Sequence, residues 1–292
     1  MSKRWFSALI WAGRGWVLVG SLALLAVVPL YKQVLPATGG IGIGFGLSGR
    51  PGADLISTFT LVGHTDAGRK KWEVQGQTAD LLSDSVHLSP ISAKTFGKVE
   101  VHLTADEGEF NKATQDVHLQ GNVVAVTSDG ARLMTDSLDW VQATETGTSP
   151  DWVTVTRPGM KAVGLGGMGR PKAKRVRLER QVSVTLEGEK GVTLITCDGP
   201  MEVDYGRNRA RFYRNVRVND GKGFVLADRM DVALDAVTSQ MEKATFWGHV
   251  EIHQDNEVAR ANRAEYWQLL GQVRLTGHPK LVMFTDGEMF AE

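Results

Sequence analysis

Two stretches of the chain carry the same pattern: NVRVNDGKGFVLAD at residues 215–228 and HVEIHQDNEVARAN at residues 249–262. Each begins with alternating apolar and polar residues, Val216-Arg-Val218 in the first and Val250-Glu-Ile252 in the second. Alternation with a period of two predicts a β-strand with one buried face and one exposed face. Because a buried parallel strand is apolar on both faces, the pattern favours an antiparallel sheet.

The alternating pattern recurs at a fixed interval. Val182-Ser-Val184 lies 34 residues before Val216, which in turn lies 34 residues before Val250. Similar segments occur upstream, as in Val117-His-Leu119, whereas a sustained period of 3.6 residues is almost absent from residue 55 onward. We therefore predict an all-β protein built from structural repeats.

An Asp or Asn after a small residue marks a second feature of the repeat. The pairs are Ala105-Asp106, Thr135-Asp136, Ala227-Asp228 and Ala261-Asn262. Asp and Asn side chains hydrogen-bond nearby backbone groups and so fix corners between strands. We predict that these four acidic or amide residues shape corners and are not catalytic. The glycines next to the same strands that fit bulges or turns are Gly121, Gly248 and Gly277.

The composition excludes several classes of protein. Lysines and arginines number 33 and equal the 33 acidic residues, which argues against a nucleic-acid binder that works through bulk positive charge. With 42% apolar residues the chain can bury a core. A single cysteine, Cys197, excludes an intrachain disulfide and a cysteine-rich zinc site. Packing and backbone pairing must therefore stabilise the fold.

The first 54 residues form a separate region. Seventeen uncharged residues lie between Arg14 and Lys32, and as a helix they would span about 25 Å, close to the thickness of a bilayer core. We interpret 1–14 as a cytoplasmic N-terminus, 15–33 as a transmembrane anchor and 34–54 as a Gly-rich linker. Because basic residues precede the anchor, the rest of the chain is expected on the far side of the membrane. A cleaved signal peptide is the alternative.

Four local patterns suggest other chemistry, and each has a simpler explanation. Gly44-x-Gly46-x-x-Gly49 and Gly164-x-Gly166-x-x-Gly169 lack the strand and helix that a dinucleotide site requires. His249-x-Glu251-x-His253 is the densest histidine cluster, but on a strand its side chains point away from Val250 and Ile252, so we expect solvent contact and no metal. The basic residues of 170–177 fit a solvated loop better than a phosphate site. We predict no cofactor and no enzymatic activity.

A longer series of motifs resembles LptC, the inner-membrane component of lipopolysaccharide export. The series covers about residues 1–187, and residues 188–290 resemble the related LptA/OstA-type repeat, which makes the chain longer than the usual member of the LptC family. The motifs that carry the resemblance are Phe59-Thr-Leu61-x-Gly63, Lys71-Trp72-Glu-Val, Gln77-x-Ala79-Asp80, Leu103-Thr-Ala105-Asp106-Glu-Gly108, Gly121-Asn122-Val123, Thr135-Asp136-x-Leu138, Arg157-Pro-Gly159, Asn215-Val216-x-Val218 and Gly248-His-Val250.

The resemblance implies a fold and an activity. The expected fold is a twisted, partly open antiparallel β-jellyroll, OstA-like, with an LptC-like part at 55–187 and an LptA/OstA-like extension at 188–292. The implied function is non-enzymatic transport of lipopolysaccharide, which the chain accepts from the inner-membrane ABC transporter and passes along an apolar trough toward a periplasmic bridge. The implied location is the inner membrane, in a single pass, with the C-terminal domain in the periplasm.

Alternation also indicates which side chains would line such a trough, because one side of every strand faces the interior. Burial of each methylene is worth about 0.8 kcal/mol, so an apolar interior can hold acyl chains in water. Ordinary core packing is the alternative role for each of these residues. The inward set that we predict to contact lipid A acyl chains is Leu103, Val117, Leu119, Val123, Leu138, Val184, Phe212, Val216, Val218, Val250, Ile252, Val273 and Leu275.

An open jellyroll leaves strands with unpaired backbone groups at its ends. We expect the C-terminal strands around Val273–Leu275 and Leu281–Phe284 to pair with an LptA-like bridge protein, and the N-terminal strands near Leu55–Val62 to face the transporter. A membrane-tethered periplasmic scaffold that binds or polymerises with proteins, without carrying lipid, is the competing hypothesis. A polysaccharide-active enzyme is a third, and it would need paired carboxylates in a cleft.

Overall fold

The computed structural model describes residues 55–64, 68–81, 84–96, 99–188, 191–236 and 241–283. The predicted cytoplasmic segment, anchor and linker lie outside these residues. No helix within the described ranges is long and apolar enough to span a bilayer. The regular elements of the described chain are the strands β1 (Leu55–His64), β2 (Lys70–Leu81), β3 (Ser85–Thr95), β4 (Val101–Ala105), β5 (Glu107–Asn111), β6 (Val117–Thr127), β7 (Arg132–Val141), β8 (Thr146–Arg157), β9 (Met160–Arg170), β10 (Arg175–Gly188), β11 (Gly191–Cys197), β12 (Met201–Asp204), β13 (Arg209–Asn219), β14 (Gly223–Leu234), β15 (Met241–Gln254), β16 (Glu257–Trp267), β17 (Gln272–Thr276) and β18 (Lys280–Met283).

The strands pair antiparallel, mostly with their neighbours in sequence. The strands β13, β14, β15 and β16 each pair with the next, and so do β1, β2 and β3. Some long strands face two short ones: β6 pairs with both β4 and β5, and β16 pairs with both β17 and β18. The all-β, antiparallel prediction is confirmed.

The described chain divides into two compact units. The N-terminal unit contains residues 55–158 and 163–177, and the C-terminal unit contains residues 159–162 and 178–283. The strands β9 and β10 contribute residues to both units. The first unit therefore holds β1 to β8 and the second holds β11 to β18.

Corners interrupt the strands at regular places. On β6, β13 and β15 the pairing register shifts across two residues, Gly121–Asn122, Arg214–Asn215 and Gly248–His249. All six residues have positive φ, between 43° and 76°. Across each shift two residues face one on the neighbouring strand, which is the geometry of a β-bulge. At Arg214–Asn215 the facing residue is Asp228, since Val216 pairs with Ala227 and Tyr213 pairs with Arg229.

The acidic and amide residues bind these bulges. The Asp106 N–H donates to the Gly121 carbonyl at 2.9 Å, and Asn122 Nδ2 donates to Asp106 Oδ2 at 2.7 Å. His249 Nδ1 lies 2.8 Å from Asp228 Oδ2, and the Asn262 N–H donates to the Gly277 carbonyl at 3.0 Å. These contacts place Asp106, Asp228 and Asn262 at corners, but the partners of the two aspartate side chains are side chains of the facing bulges and not the nearby backbone that we predicted. Asp136 is exposed and lies in the irregular stretch of pairing between Met134 and Asp139.

Asp198 forms a further corner that the sequence reading missed. Its N–H donates to the Arg214 carbonyl at 3.0 Å, and Asn215 Nδ2 donates to Asp198 Oδ2 at 2.6 Å. These are the same two bonds that Asp106 makes to the bulge on β6. Asp198 lies 30 residues before Asp228 and not 34, so it falls outside the repeat interval.

Candidate functional site

A buried valine follows the left-handed residues at four corners, whereas the exposed Pro279 follows Gly277–His278 at the last described corner. Val123, Val182, Val216 and Val250 come directly after a residue with positive φ, and their exposed fractions are only 0%, 2%, 1% and 1%. Three of them mark the 34-residue repeat. The left-handed residue bends the strand, and the next side chain then occupies the inside of the bend. The repeat therefore places a branched apolar side chain at the centre of each of these four corners.

In the C-terminal unit these valines face small partners across the sheet. Val182 pairs with Cys197, Val216 with Ala227 and Val250 with Ala261, and all three partners are buried. The arrangement forms a row of large and small side chains that crosses the sheet at its corners. Burial raises the pKa of the Cys197 thiol, as expected for a cysteine that packs as an apolar residue.

Two further rows of inward side chains run parallel to the corner row. One contains Phe212, Met230, Phe246 and Ala264, each paired with the next and each at most 7% exposed. The other row contains Val184, Ile195, Val218, Val225 and Ile252 in successive pairs. Six of the predicted inward residues of this unit lie on the three rows: Val184, Phe212, Val216, Val218, Val250 and Ile252. Leu275 pairs with Ala264 at the end of one row, and Val273 pairs with Tyr266 two residues away on the same strand.

Burial within these rows is lowest at the C-terminal edge, although Val218 and Val225 in the middle of one row are also half-buried. Ala264 is 1% exposed, and its partner on β17, Leu275, is half-buried. Ile252 is 7% exposed, and beyond its half-buried partner Ala259 lies Leu281 on β18, which is 51% exposed. Val273 is also half-buried. The inner surface of the C-terminal unit is thus incompletely covered where β17 and β18 end the described sheet.

The N-terminal unit has the same kind of interior. Leu103, Leu119, Val123 and Leu138 are at most 8% exposed, whereas Val117 is half-buried. Leu103 pairs with Ala125, which is followed across the sheet by Leu133 and Val155. The predicted residues of both units are therefore buried or half-buried, and their contact with lipid stays a prediction.

Polar groups inside the units are almost all neutral. Apart from Glu265, the buried polar side chains of the described chain are serine and threonine hydroxyls. Thr135 Oγ1 and Ser149 Oγ lie 2.7 Å apart, so these two hydroxyls satisfy each other. An interior without charge suits hydrocarbon, because an unpaired charge there would have to lose its hydration.

The charges of the C-terminal unit lie on the outer face of β13 to β16. The Trp247 ring packs between the guanidinium groups of Arg229 and Arg263, at 5.4 and 4.1 Å from the ring centroid. Lys243 Nζ donates to Glu265 Oε1 at 2.5 Å, and Arg263 Nη2 donates to the same oxygen at 2.6 Å. The Lys243 hydrogen bond is the largest of the contributions that lower the pKa of Glu265. Paired charges therefore cover Glu265 and shield it from solvent.

The histidines, the basic run and the tryptophans have separate environments. His249 contacts Asp228 while His253 Nε2 lies 3.0 Å from Glu251 Oε2, so the two histidines use different carboxylates. No set of three metal-binding side chains lies together in the ranges that the structure describes. In the basic run 170–177, Lys172 pairs with Glu145. Trp72 and Trp140 are buried core residues, while Trp247 and Trp267 are half-buried beside cations.

Two family models match the chain in sequence order. Residues 56–187 match the family described as lipopolysaccharide-assembly, LptC-related, and residues 194–290 match the LptA/(LptD N-terminal domain) LPS transport protein family. No curated protein matches the chain significantly. The resemblance to LptC with an LptA-like extension is confirmed, and the first matched segment ends within β10 while the second begins within β11.

Proposed function

Since an LptC-related segment and an LptA/LptD N-terminal-like segment lie in one chain, we propose that the protein is a non-enzymatic carrier of lipopolysaccharide that combines a receiving part and a bridging part. Residues 55–187 would accept lipopolysaccharide from an inner-membrane ABC transporter, and residues 188–292 would pass it toward a periplasmic bridge protein. In this proposal both parts are β-jellyrolls, residues 15–33 anchor the chain in the inner membrane, and residues 34–54 link the anchor to the folded body.

The observation that carries the proposal is the incomplete burial of the inward apolar face at the C-terminal edge. The inward rows of each unit contain apolar or neutral side chains, and in the C-terminal unit the greatest exposure among these side chains is on β18. An acyl chain that entered at this edge would cover Leu275 and Leu281, which protein atoms cover only in part. Each covered methylene would contribute about 0.8 kcal/mol to binding. The acyl chain would thus continue the packing that Ala264 and Ile252 already have.

The C-terminal edge also supports strand pairing with a partner. Among the described strands, β17 and β18 pair along one side, with β16. All four residues of β18 are exposed, and three of them are apolar: Leu281, Val282 and Met283. An exposed apolar edge strand is an aggregation hazard unless another strand covers it. We propose that a bridge protein adds a strand here, which would extend both the sheet and its inner surface. Phe284, expected in the same edge, lies outside the described residues.

A photocrosslinking experiment on the full chain tests the transport proposal. A photoreactive residue replaces Val273 or Leu275, which face inward and are half-buried, or Arg274 between them, which faces outward and is exposed. The three positions share one strand, so they control for local folding and accessibility. In cells that make lipopolysaccharide, we expect adducts with it from the two inward sites, at several times the yield from Arg274. Equal yields from both faces would refute the proposed route.

The scaffold hypothesis predicts a different outcome from the same variants. If β17 and β18 only bind a protein, crosslinks should join the chain to another polypeptide, and lipopolysaccharide adducts should be absent at all three sites. A Val282→Asp variant separates the edge from the interior, because Val282 lies on the opposite face of β18 from Leu281, is 37% exposed, and its replacement should leave the fold intact. We expect this variant to lose the protein crosslinks made by the edge strand.

A further inference from the structure

The hairpin turn between β16 and β17 has an unusual surface. Its residues are Gln268, Leu269, Leu270 and Gly271. The Gly271 N–H donates to the Gln268 carbonyl at 3.2 Å, and the Gln268 N–H donates to the Glu242 carbonyl at 3.1 Å. Gly271 has a φ of +57°, which completes the turn. The backbone of the turn is therefore fixed by hydrogen bonds at both ends.

The two leucines of this turn project into solvent. Leu269 is 93% exposed and Leu270 is 62% exposed, and no other large apolar side chain in the described chain is exposed as much as either. Turns at other hairpins of the C-terminal unit carry polar residues, as in Asp220-Gly-Lys222 and Asp255-Asn256. Turn positions usually favour Gly, Asn, Asp or Ser. Two adjacent leucines on a fixed turn therefore need an apolar environment from outside the fold.

The residues behind the turn have the chemistry of a membrane interface. Trp267 is half-buried, and Lys243 Nζ lies 4.7 Å from the centroid of its ring. Lys243 and Trp267 pair across β15 and β16, directly next to the turn. Tryptophan rings and lysine side chains both favour the headgroup level of a bilayer, where their apolar parts face the lipid tails and their polar ends face water.

We propose that the turn Gln268–Gly271 inserts Leu269 and Leu270 into the lipid–water interface of a bilayer, with Trp267 and Lys243 at the headgroups. A bilayer fits better than a protein partner because the two adjacent leucines occupy the middle of a four-residue hairpin turn and offer only a small apolar surface between Gln268 and Gly271. Acyl chains can adapt to such a turn, whereas a protein would need a matching pocket. The predicted anchor at residues 15–33 gives the chain an independent reason to be at a membrane. The inference does not depend on lipopolysaccharide transport.

Fluorescence from the turn tests the inference. In the full chain, Leu269→Cys carries an environment-sensitive dye, and the matched control is Asn256→Cys in the exposed turn between β15 and β16. The native Cys197 is buried and its thiol pKa is raised, so it should label slowly, and the unsubstituted chain measures this background. Each protein is combined with vesicles of phosphatidylethanolamine and phosphatidylglycerol, with and without lipids that carry a spin-label quencher on the acyl chain.

We expect a blue-shifted emission and strong quenching by the labelled lipid at position 269, and neither at position 256. Adding Leu270→Ser should weaken the association of the labelled turn with lipid roughly tenfold, since burial of one leucine is worth about this factor. An unshifted emission at position 269 would overturn the inference. A blue shift without lipid quenching would also overturn it, because the turn would then be covered by protein.

Discussion

Substitution of Gly248 by alanine tests the corner geometry most directly. Gly248 has a φ of +72°, and a Cβ built on it would lie 2.1 Å from Asp228 Oδ2 and 2.8 Å from Asp228 Cγ. The left-handed backbone alone costs an alanine about 1 kcal/mol. To restore an ordinary contact of 3.4 Å, the Asp228 carboxylate would have to move by more than 1 Å and would leave its position beside His249 Nδ1. We therefore expect Gly248→Ala to lower the free energy of unfolding by about 2 to 3 kcal/mol.

Gly221 provides the matched control. It belongs to the same unit and has a φ of +81°, but no atom lies within 4 Å of a Cβ built on it. Gly221→Ala should therefore cost only the backbone contribution of about 1 kcal/mol. Urea denaturation of both variants and of the parent chain measures the difference, and an unchanged m-value shows that the unfolded state is not altered. Equal losses for the two variants would refute the contact between Gly248 and Asp228.

A double-mutant cycle identifies the source of the extra cost. In an Asp228→Ala background the carboxylate is gone, and the nearest remaining atom of residue 228, its Cβ, lies 3.0 Å from the new methyl group. The cost of Gly248→Ala should then approach that of Gly221→Ala. The expected coupling is therefore about 1 to 2 kcal/mol, in the range measured for residues in contact. Additive losses would show that the strain arises elsewhere in the strand.

Two further substitutions test the interior and the outer face. Val250→Ala removes two methyl groups from a side chain that is 1% exposed, so it should lower the free energy of unfolding in urea by about 2 kcal/mol. The control Val192→Ala, at a site that is 53% exposed, should lower it by under about 0.5 kcal/mol. Similar losses from the two variants would contradict the inward assignment of Val250. Because Lys243 and Arg263 lower the pKa of Glu265 in the folded protein, the stability that they provide is present above the ordinary glutamate pKa of 4.5 and is lost as the pH falls through the lowered value. Glu265→Gln should therefore flatten the acid limb of a plot of unfolding free energy against pH, and an unchanged limb would exclude Glu265 as its source.

The sequence predicts much of the fold because one physical rule acts at many positions. Alternation identifies the inward face correctly at Val216, Phe212 and Leu103, where burial of an apolar side chain decides which way the strand faces. It does not predict depth: Val218 and Leu275 alternate just as Val216 does, yet both are half-buried. How deeply an inward side chain is buried depends on which other strands cover it, and the spacing of nearby residues in the sequence does not specify those strands.

The partners of the corner residues are harder to predict. Nothing in the local sequence indicates that Asn122 and Asn215 donate to the carboxylates of Asp106 and Asp198, which lie between short strands, because the pairs are 16 and 17 residues apart and meet only through the register of the sheet. Asp198 escapes the 34-residue period because the turns between strands differ in length. The contacts of a corner are made between the Asp or Asn and the facing bulge, so the turn that joins the two strands can change length without disturbing these contacts. The exposed leucines at 269 and 270 are visible in the sequence, but only the turn geometry shows that they project.

The corners also explain why alternation breaks at particular residues. On β14 the buried apolar positions are Ala227 before Asp228 and Met230 and Val232 after it, so the inward parity changes at Asp228. On β13, which carries the facing bulge, Phe212 and Val216 keep the same parity. The two left-handed residues on one strand and the single Asp opposite them on its neighbour therefore keep both strands facing the interior through the bend.

The same geometry determines how the sheet can end. Each corner is complete between one strand that carries Asp or Asn and the next strand that carries a bulge, and the last described corner joins Asn262 to Gly277. The edge formed by β17 and β18 thus ends on a finished corner, with its backbone bent to follow β16. A strand added by a partner would need a single residue opposite Gly277 and His278, as Asp228 lies opposite Arg214 and Asn215. It would then inherit the inward parity of Leu275 and Leu281, so that the apolar surface would continue across the junction.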